Sequence, residues 1–170
     1  MMMEALVGPS GLVRREDDVP APGPGEVLVA VRAAGCNFFD TLITRGQYQV
    51  KPPLPFAPGG EFAGVVDALG EGVTGLKAGD RVIGGGFTGG FAEYAVIHAM
   101  GALPIPDSMS FAQAAVFRTN FATAIHALKD RAALQPGETV LVLGAGGGTG
   151  TAAVTVAKIM GARVIGAASS

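Results

Sequence analysis

The sequence predicts a mixed α/β chain in two parts: a small β-barrel or sandwich, then the opening βαβ unit of a parallel-sheet domain. Three observations carry this. Four short β-prone runs bounded by glycine or proline occupy the first hundred residues, and an alanine-rich helical stretch begins after Pro104 and Pro106. From Val140 to Ala167 a strand pattern, a glycine loop, a helix pattern and a second strand pattern then follow in order. A boundary between 119 and 120 divides the chain into residues 1–119 and 120–170.

The first strand is Glu26 to Ala34, where Val27-Leu28-Val29-Ala30-Val31 is β-prone and the turn Pro22-Gly23-Pro24-Gly25 leads in with fixed and permissive dihedrals. Further strands are expected at Glu61 to Leu69, at Arg81 to Ile83 after the turn Ala78-Gly79-Asp80, and at Phe91 to Ile97. Short strands joined by glycine-rich turns suit a closed or sandwiched sheet. Ser110-x-x-Gln113 has the form of a capping box and opens helical pieces that run to about Asp130. Pro136-Gly137 leads into the apolar run Val140 to Leu143, a length that suits a fully buried parallel strand. In the next helix Ala153, Val156, Ala157 and Met160 share one face, and Gly161 is placed to end it with a left-handed cap. Arg163 to Ala167 is the second strand, reached by a right-handed crossover.

Composition narrows the function. Only 15% of residues are charged and the net charge is -2, so no basic field exists to hold nucleic acid or an anionic membrane surface. No run approaches the roughly 18 to 20 apolar residues of a membrane span, and the start lacks a signal-like segment. The chain reads as soluble, unprocessed and cytoplasmic. Its single cysteine, Cys36, has no internal partner and no Cys/His cluster has zinc-site spacing. Cys36 has no basic neighbour in sequence to activate it and is expected to be a buried small hydrophobe.

The 27 glycines gather at a few points, most densely in Gly144-Ala145-Gly146-Gly147-Gly148-Thr149-Gly150. At about 0.5 to 1 kcal/mol of extra chain entropy per glycine relative to alanine, this loop is costly for a plain connector. Glycines lying between a strand and a helix let a pyrophosphate approach the backbone amides, while the helix mouth offers free N–H groups and about half a positive charge. The G-x-G-x-x-G template fits as Ala145-x-Gly147-x-x-Gly150, which points to a dinucleotide held by Ala145, Gly146, Gly147, Gly148, Thr149 and Gly150. The alternative is a tight strand-to-helix turn that binds nothing. After the second strand, where NAD enzymes place an acid, stand Ala167, Ala168, Ser169 and Ser170. Without a carboxylate to repel a 2′-phosphate, and with the Ser169 and Ser170 hydroxyls to bind it, NADPH is favoured over NADH; these serines could equally just begin a loop.

The stretches Ala34-Gly35-Cys36-Asn37-Phe38-Phe39-Asp40, Pro52-Pro53-Leu54-Pro55-Phe56-Ala57-Pro58-Gly59-Gly60-Glu61, Gly79-Asp80-Arg81-Val82 and Gly90-Phe91-Ala92-Glu93-Tyr94 resemble zinc-free quinone oxidoreductases (zeta-crystallin-like) of the medium-chain dehydrogenase/reductase superfamily. With Leu134 to Ser170 the resemblance covers nearly the whole chain. It implies a GroES-like catalytic domain followed by a partial Rossmann fold. Zinc alcohol dehydrogenases of the same layout carry a metal-binding Cys and His where this chain shows Asn37 and Gly60, so no metal is expected. Hydride delivery from NADPH to a quinone or an α,β-unsaturated carbonyl is then a better fit than alcohol oxidation. By resemblance Asn37 and Tyr48 would line the nicotinamide and substrate end, and Thr123 would touch the cofactor near its ribose and phosphates. Each has a plainer alternative. Asn37 could cap a short helix from Phe38 to Arg45, Tyr48 could cover the barrel, and Thr123 could bond its own helix. Glu61 is expected to order the turn before it, and no pair of carboxylates stands out.

The resemblance also implies that the chain stops after the second Rossmann strand. The family is often homo-oligomeric, but its usual dimer strand has no counterpart here, and the wall that would close the cofactor crevice is missing as well. The chain by itself is therefore expected to bind NADPH weakly and to expose apolar strand surface. The competing reading is a catalytically incompetent, non-catalytic module that binds a partner protein.

Overall fold

The computed structural model describes residues 1–169 and falls into two compact units, Met1–Val116 and Phe117–Ser170, with Ser170 outside the described residues. The boundary drawn at 119/120 falls inside the helix Arg118–Ile125.

In the first unit, β1 (Met2–Met3) pairs with β2 (Leu12–Val13). The main sheet is antiparallel and joins β3 (Glu26–Gly35), β4 (Glu61–Leu69), β5 (Arg81–Gly85), β6 (Tyr94–His98) and β7 (Leu103–Pro104) in the order β6-β3-β4-β5-β7. The helix α1 (Phe38–Thr44) lies in sequence between β3 and β4, and α2 (Phe111–Ala114) follows β7. Irregularities in the β3–β4 register at Leu28/Val29 and Val31/Ala33 bend the sheet. On one face Val27, Val29, Phe62, Val66 and Val82 form a core that Val73 and Leu76, from the β4–β5 connection, help to fill. On the other, Ala63 and Ile83 pack on Ala114 and Ala115. Burial on both faces explains why β3 is buried at consecutive positions, Val27 to Ala30, and not only at alternate ones.

The expected capping box is made: Ser110 Oγ accepts from Gln113 N–H at 3.2 Å, and Gln113 Oε1 accepts from Ser110 N–H at 3.0 Å. One strand starts late. The sequence reads β6 from Phe91, but the N–H groups of Gly90 and Phe91 donate to Gly59 and Pro58 carbonyls, both at 2.8 Å, so this stretch is drawn out of the β3 ladder until Tyr94.

In the second unit, α3 (Arg118–Ile125) runs on into a π-helical turn, His126–Arg131. β8 (Thr139–Leu143) and β9 (Arg163–Ala167) are parallel, with Thr139 opposite Arg163 and Leu143 opposite Ala167, and α4 (Gly148–Ile159) connects them. Ala124 packs against Ala152 and Val156, flanked by Phe121, Leu128, Ala153 and Met160. Gly161 has φ +81° and ends the helix as its position suggests. The strand expectation needs correction. Val142 is buried, but Leu141 and Leu143 are 59% and 75% exposed, so β8 is covered on one face and not on both. The cause is period-two alternation in a sheet with α4 against one face and, among the described residues, no layer on the other.

Candidate functional site

Each unit contributes a distinct cluster. In the first, the pairing of β3 with β4 sets Gly35 opposite Glu61 and so brings the chain leaving β3 to the turn that precedes β4. Asn37 takes the N-cap position of α1, and Asp40, three residues on, returns Oδ2 to the Asn37 N–H at 2.7 Å. The other Asp40 oxygen, Oδ1, accepts from Gly60 N–H at 3.2 Å, and the Asn37 amide directs Nδ2 to Glu61 Oε2 at 3.4 Å. Asp40 and Glu61 are only 4% and 1% exposed. Burial lifts the Asp40 carboxyl above its ordinary 3.8; the backbone N–H groups of Asn37, Gly60 and Gly59 oppose the rise, and the charge of Glu61 adds to it.

A side chain at position 60 has no room, because a Cβ there would fall on the Phe39 ring. Phe39 stands 5.7 Å from Tyr48, and Tyr48 stands 6.3 Å from Phe87, centroid to centroid. The cluster is therefore an amide and two buried acids beside a row of aromatic rings. It carries no thiolate or imidazole, and among the described residues no three His, Cys, Asp or Glu side chains converge to hold a metal.

Sequence reasoning named Asn37 and Tyr48 and missed the rest of this cluster. Asp40 takes the Gly60 N–H of the turn, and the two acids, Asp40 and Glu61, are both buried, although no carboxylate pair stood out in the sequence. The Asn37-x-x-Asp40 spacing was the available signal, since it matches the capping box at Ser110. Cys36 also departs from expectation: it is exposed at the bend between β3 and α1.

In the second unit, β8 gives way to Gly144 at φ +68°, a left-handed turn that suits glycine. Ala145 N–H donates to Ala167 O at 2.9 Å and Gly147 N–H to Gly144 O at 3.0 Å, after which α4 begins at Gly148. The N-cap, Gly147, has no side chain to offer, and Thr151 N–H makes the first helical bond, to Gly147 O at 2.8 Å. The amides of Gly148, Thr149 and Gly150 thus form the helix mouth. A Cβ at Gly150 would fall on the Gly144 carbonyl oxygen, so the close turn requires glycine there. Asn120 lies against this mouth: Thr149 Oγ1 donates to its Oδ1 at 3.0 Å, and a Cβ at Gly148 would meet the same oxygen at 3.0 Å. Sequence reasoning did not find Asn120. Thr123 is exposed and donates to the Thr119 carbonyl at 2.7 Å. Ser169 is exposed beyond β9, and Ser170 lies outside the described residues.

A five-stranded antiparallel sheet followed in the chain by a strand, glycine loop, helix and strand is the order of parts that the resemblance to the medium-chain dehydrogenase/reductase class implies. Residues 23–107 match the alcohol dehydrogenase GroES-like domain. Over 157 residues the chain is 48% identical to quinone oxidoreductase-like protein 2 of Rattus norvegicus, a match covering 91% of this chain and 45% of that protein. A probable oxidoreductase from Mycobacterium abscessus superposes with a TM-score of 0.93 at 46% identity, over 98% of this chain and 54% of that one. A quinone oxidoreductase from Thermus thermophilus, solved also in complex with NADPH, gives 0.86 at 38% identity, over 99% of this chain and 52% of that one. The chain belongs to the alcohol dehydrogenase GroES-like family, and the relatives it is similar to are named quinone oxidoreductases. It spans about half the length of the curated relatives it matches. Among the described residues no helix is long and apolar enough to cross a membrane.

Proposed function

We propose that the chain carries the catalytic and cofactor-loop parts of an NADPH-dependent reductase acting on a small-molecule quinone or α,β-unsaturated carbonyl. The observation that carries this reading is the mouth of α4, N-capped by a glycine and set behind a glycine loop whose Gly150 cannot bear a side chain. Such a mouth suits a diphosphate, because its N–H groups and dipole favour negative charge and the first turn of α4 holds no acidic residue. When bound, the dinucleotide would supply the hydride.

Within that reading the amides from Ala145 to Gly150 receive the diphosphate, with Thr149 held in place by Asn120. Ser169 and Ser170 present hydroxyls to the 2′-phosphate, which favours NADPH, and Thr123 attends the ribose and phosphates. Asn37 and Tyr48 attend the reacting end. Asp40 fixes the backbone of Asn37 and Glu61 its amide, so the polar group facing the acceptor is held in position before substrate arrives. The Tyr48 hydroxyl is a proton source for the reduced acceptor, and solvent is the other. Asn37 and Gly60 offer no Lewis acid to steady an alkoxide, which favours an electron-poor acceptor over an alcohol. The exposed thiol of Cys36 suits a reducing, cytoplasmic setting.

Quinone-dependent oxidation of NADPH is the test. Turnover with quinones and enones, weakened with NADH and lost in Asn37→Ala, is expected; oxidation of alcohols in preference to quinone reduction would overturn the assignment. The exposed Leu141, Leu143 and Ile165 favour a second reading, a non-catalytic module that docks a partner protein on this sheet face. That reading requires partner binding without quinone-dependent NADPH oxidation.

A further inference from the structure

The methionines of this chain sit in very different surroundings. Met3 is fully buried and packs with Ile43 and Phe56 in the cluster that Phe39 and Tyr48 flank. Met109 flanks the core around Ala63 and Ile83, and Met160 flanks the one around Ala124 and Val156. Met100 is 83% exposed, more than any other large apolar side chain among the described residues. Its position is fixed by the backbone. Met100 lies in the single 3-10 turn Ala99–Gly101 that follows β6. Ala99 N–H donates to Gly25 O at 2.9 Å, Ala102 N–H returns to Ala99 O at 3.1 Å, and Met100 N–H donates to His98 Nδ1 at 3.3 Å. Ala99 and Ala102 pack into the core of the main sheet, so the turn is pinned there while the side chain between them stands out in water.

We propose that Met100 is a modification site, at which hydroperoxides oxidise the thioether to the sulfoxide. The Sδ lone pair takes the terminal oxygen of the hydroperoxide and the O–O bond breaks. The proton of that oxygen passes to the departing alkoxide, which leaves as an alcohol, or as water from hydrogen peroxide; sulfur is oxidised and the peroxide reduced. Access sets the order of reaction. Sδ of Met100 meets the oxidant in the folded chain, whereas Sδ of Met3 meets it only after local unfolding. Access also sets the consequence. A sulfoxide is polar, and at Met100 its oxygen is hydrated as soon as it forms, while at Met3 it would enter an apolar cluster beside Phe39 and Tyr48. The fold thus presents to oxidants a thioether whose conversion leaves that cluster unchanged.

The test is limited treatment of the full chain with tert-butyl hydroperoxide. Tandem mass spectrometry reads each methionine separately and places any oxidation of the exposed Cys36 thiol on its own fragment. Met100 is expected to gain one oxygen at least about tenfold faster than Met3, and ahead of Met109 and Met160. The chain oxidised at Met100 alone should keep the parent's melting temperature. In urea the difference between Met100 and Met3 should vanish, because unfolding exposes every thioether alike. Met100→Leu should remove the fast site and leave the rates at the other methionines unchanged. Oxidation of Met3 or Met109 as fast as Met100 in the folded chain would overturn the proposal, as would a fall in melting temperature after oxidation at Met100 alone.

Discussion

Asp40 shows how much one side chain does in this protein. Both of its oxygens are used, one on Asn37 N–H at 2.7 Å and one on Gly60 N–H at 3.2 Å, so it ties the start of α1 to the turn before β4. Asp40→Asn keeps the shape but sets an NH2 group against one of these donors, and a cost of about 1–3 kcal/mol is expected for the N–H left unpaired. The pH dependence has a definite sign. The folded carboxyl lies above its ordinary 3.8, so the fold holds the proton more tightly than the unfolded chain does. The stability Asp40 contributes is complete below that ordinary value and is lost as pH rises through the folded one. The stability gap between parent and Asp40→Asn, measured by urea denaturation across pH, should therefore narrow as pH increases; a gap that widens would mean the fold favours the charged carboxylate. Half of this arrangement was legible in the sequence. Asn37-x-x-Asp40 is a local cap that spacing alone reveals, whereas the Asn37 contact with Glu61 spans 24 residues and depends on the β3–β4 register.

At the scale of elements, the glycine loop and α4 act as one piece. Periodicity located the helix, its terminating glycine and β9, because each depends on neighbours within a few turns of chain. The tightness of the turn is a further property. Gly150 sits so close to Gly144 that a methyl group would fall on its carbonyl oxygen. Gly150→Ala should therefore displace the first turn of α4, destabilising the second unit by about 1–3 kcal/mol and weakening dinucleotide binding together with it; thermal denaturation and an NADPH titration check both. An alanine tolerated without loss would show that the turn is looser than described. Asn120 escaped sequence reasoning for a physical reason. It reaches Thr149 only because α3 packs on α4 through Ala124, Ala152 and Val156, a contact between segments 29 residues apart. The late start of β6 was hidden for the same reason, since the bonds that hold Gly90 and Phe91 come from the distant 58–59 turn.

At the scale of the whole molecule, the chain divides into two compact units, each with its own cluster. The first holds an amide, two buried acids and an aromatic row, and the second holds a glycine loop that opens the helix α4. The apolar run at β8 led to an expectation of full burial because composition reports a strand's preference, while burial depends on which layers are present to cover it. Leu141 and Leu143 are exposed because α4 covers only one face. The class of protein and the glycine loop were legible because they rest on motifs in chain order; the acids around Asn37 were not, because folding brings them together. The redox assignment stands on the loop amides being open to a diphosphate. The direct measurement is an NMR titration of the nitrogen-15-labelled chain with NADPH, in which the largest amide shifts should fall on Gly146, Gly148, Thr149 and Gly150. Shifts confined to other residues, with these four amides unmoved at saturating NADPH, would contradict it.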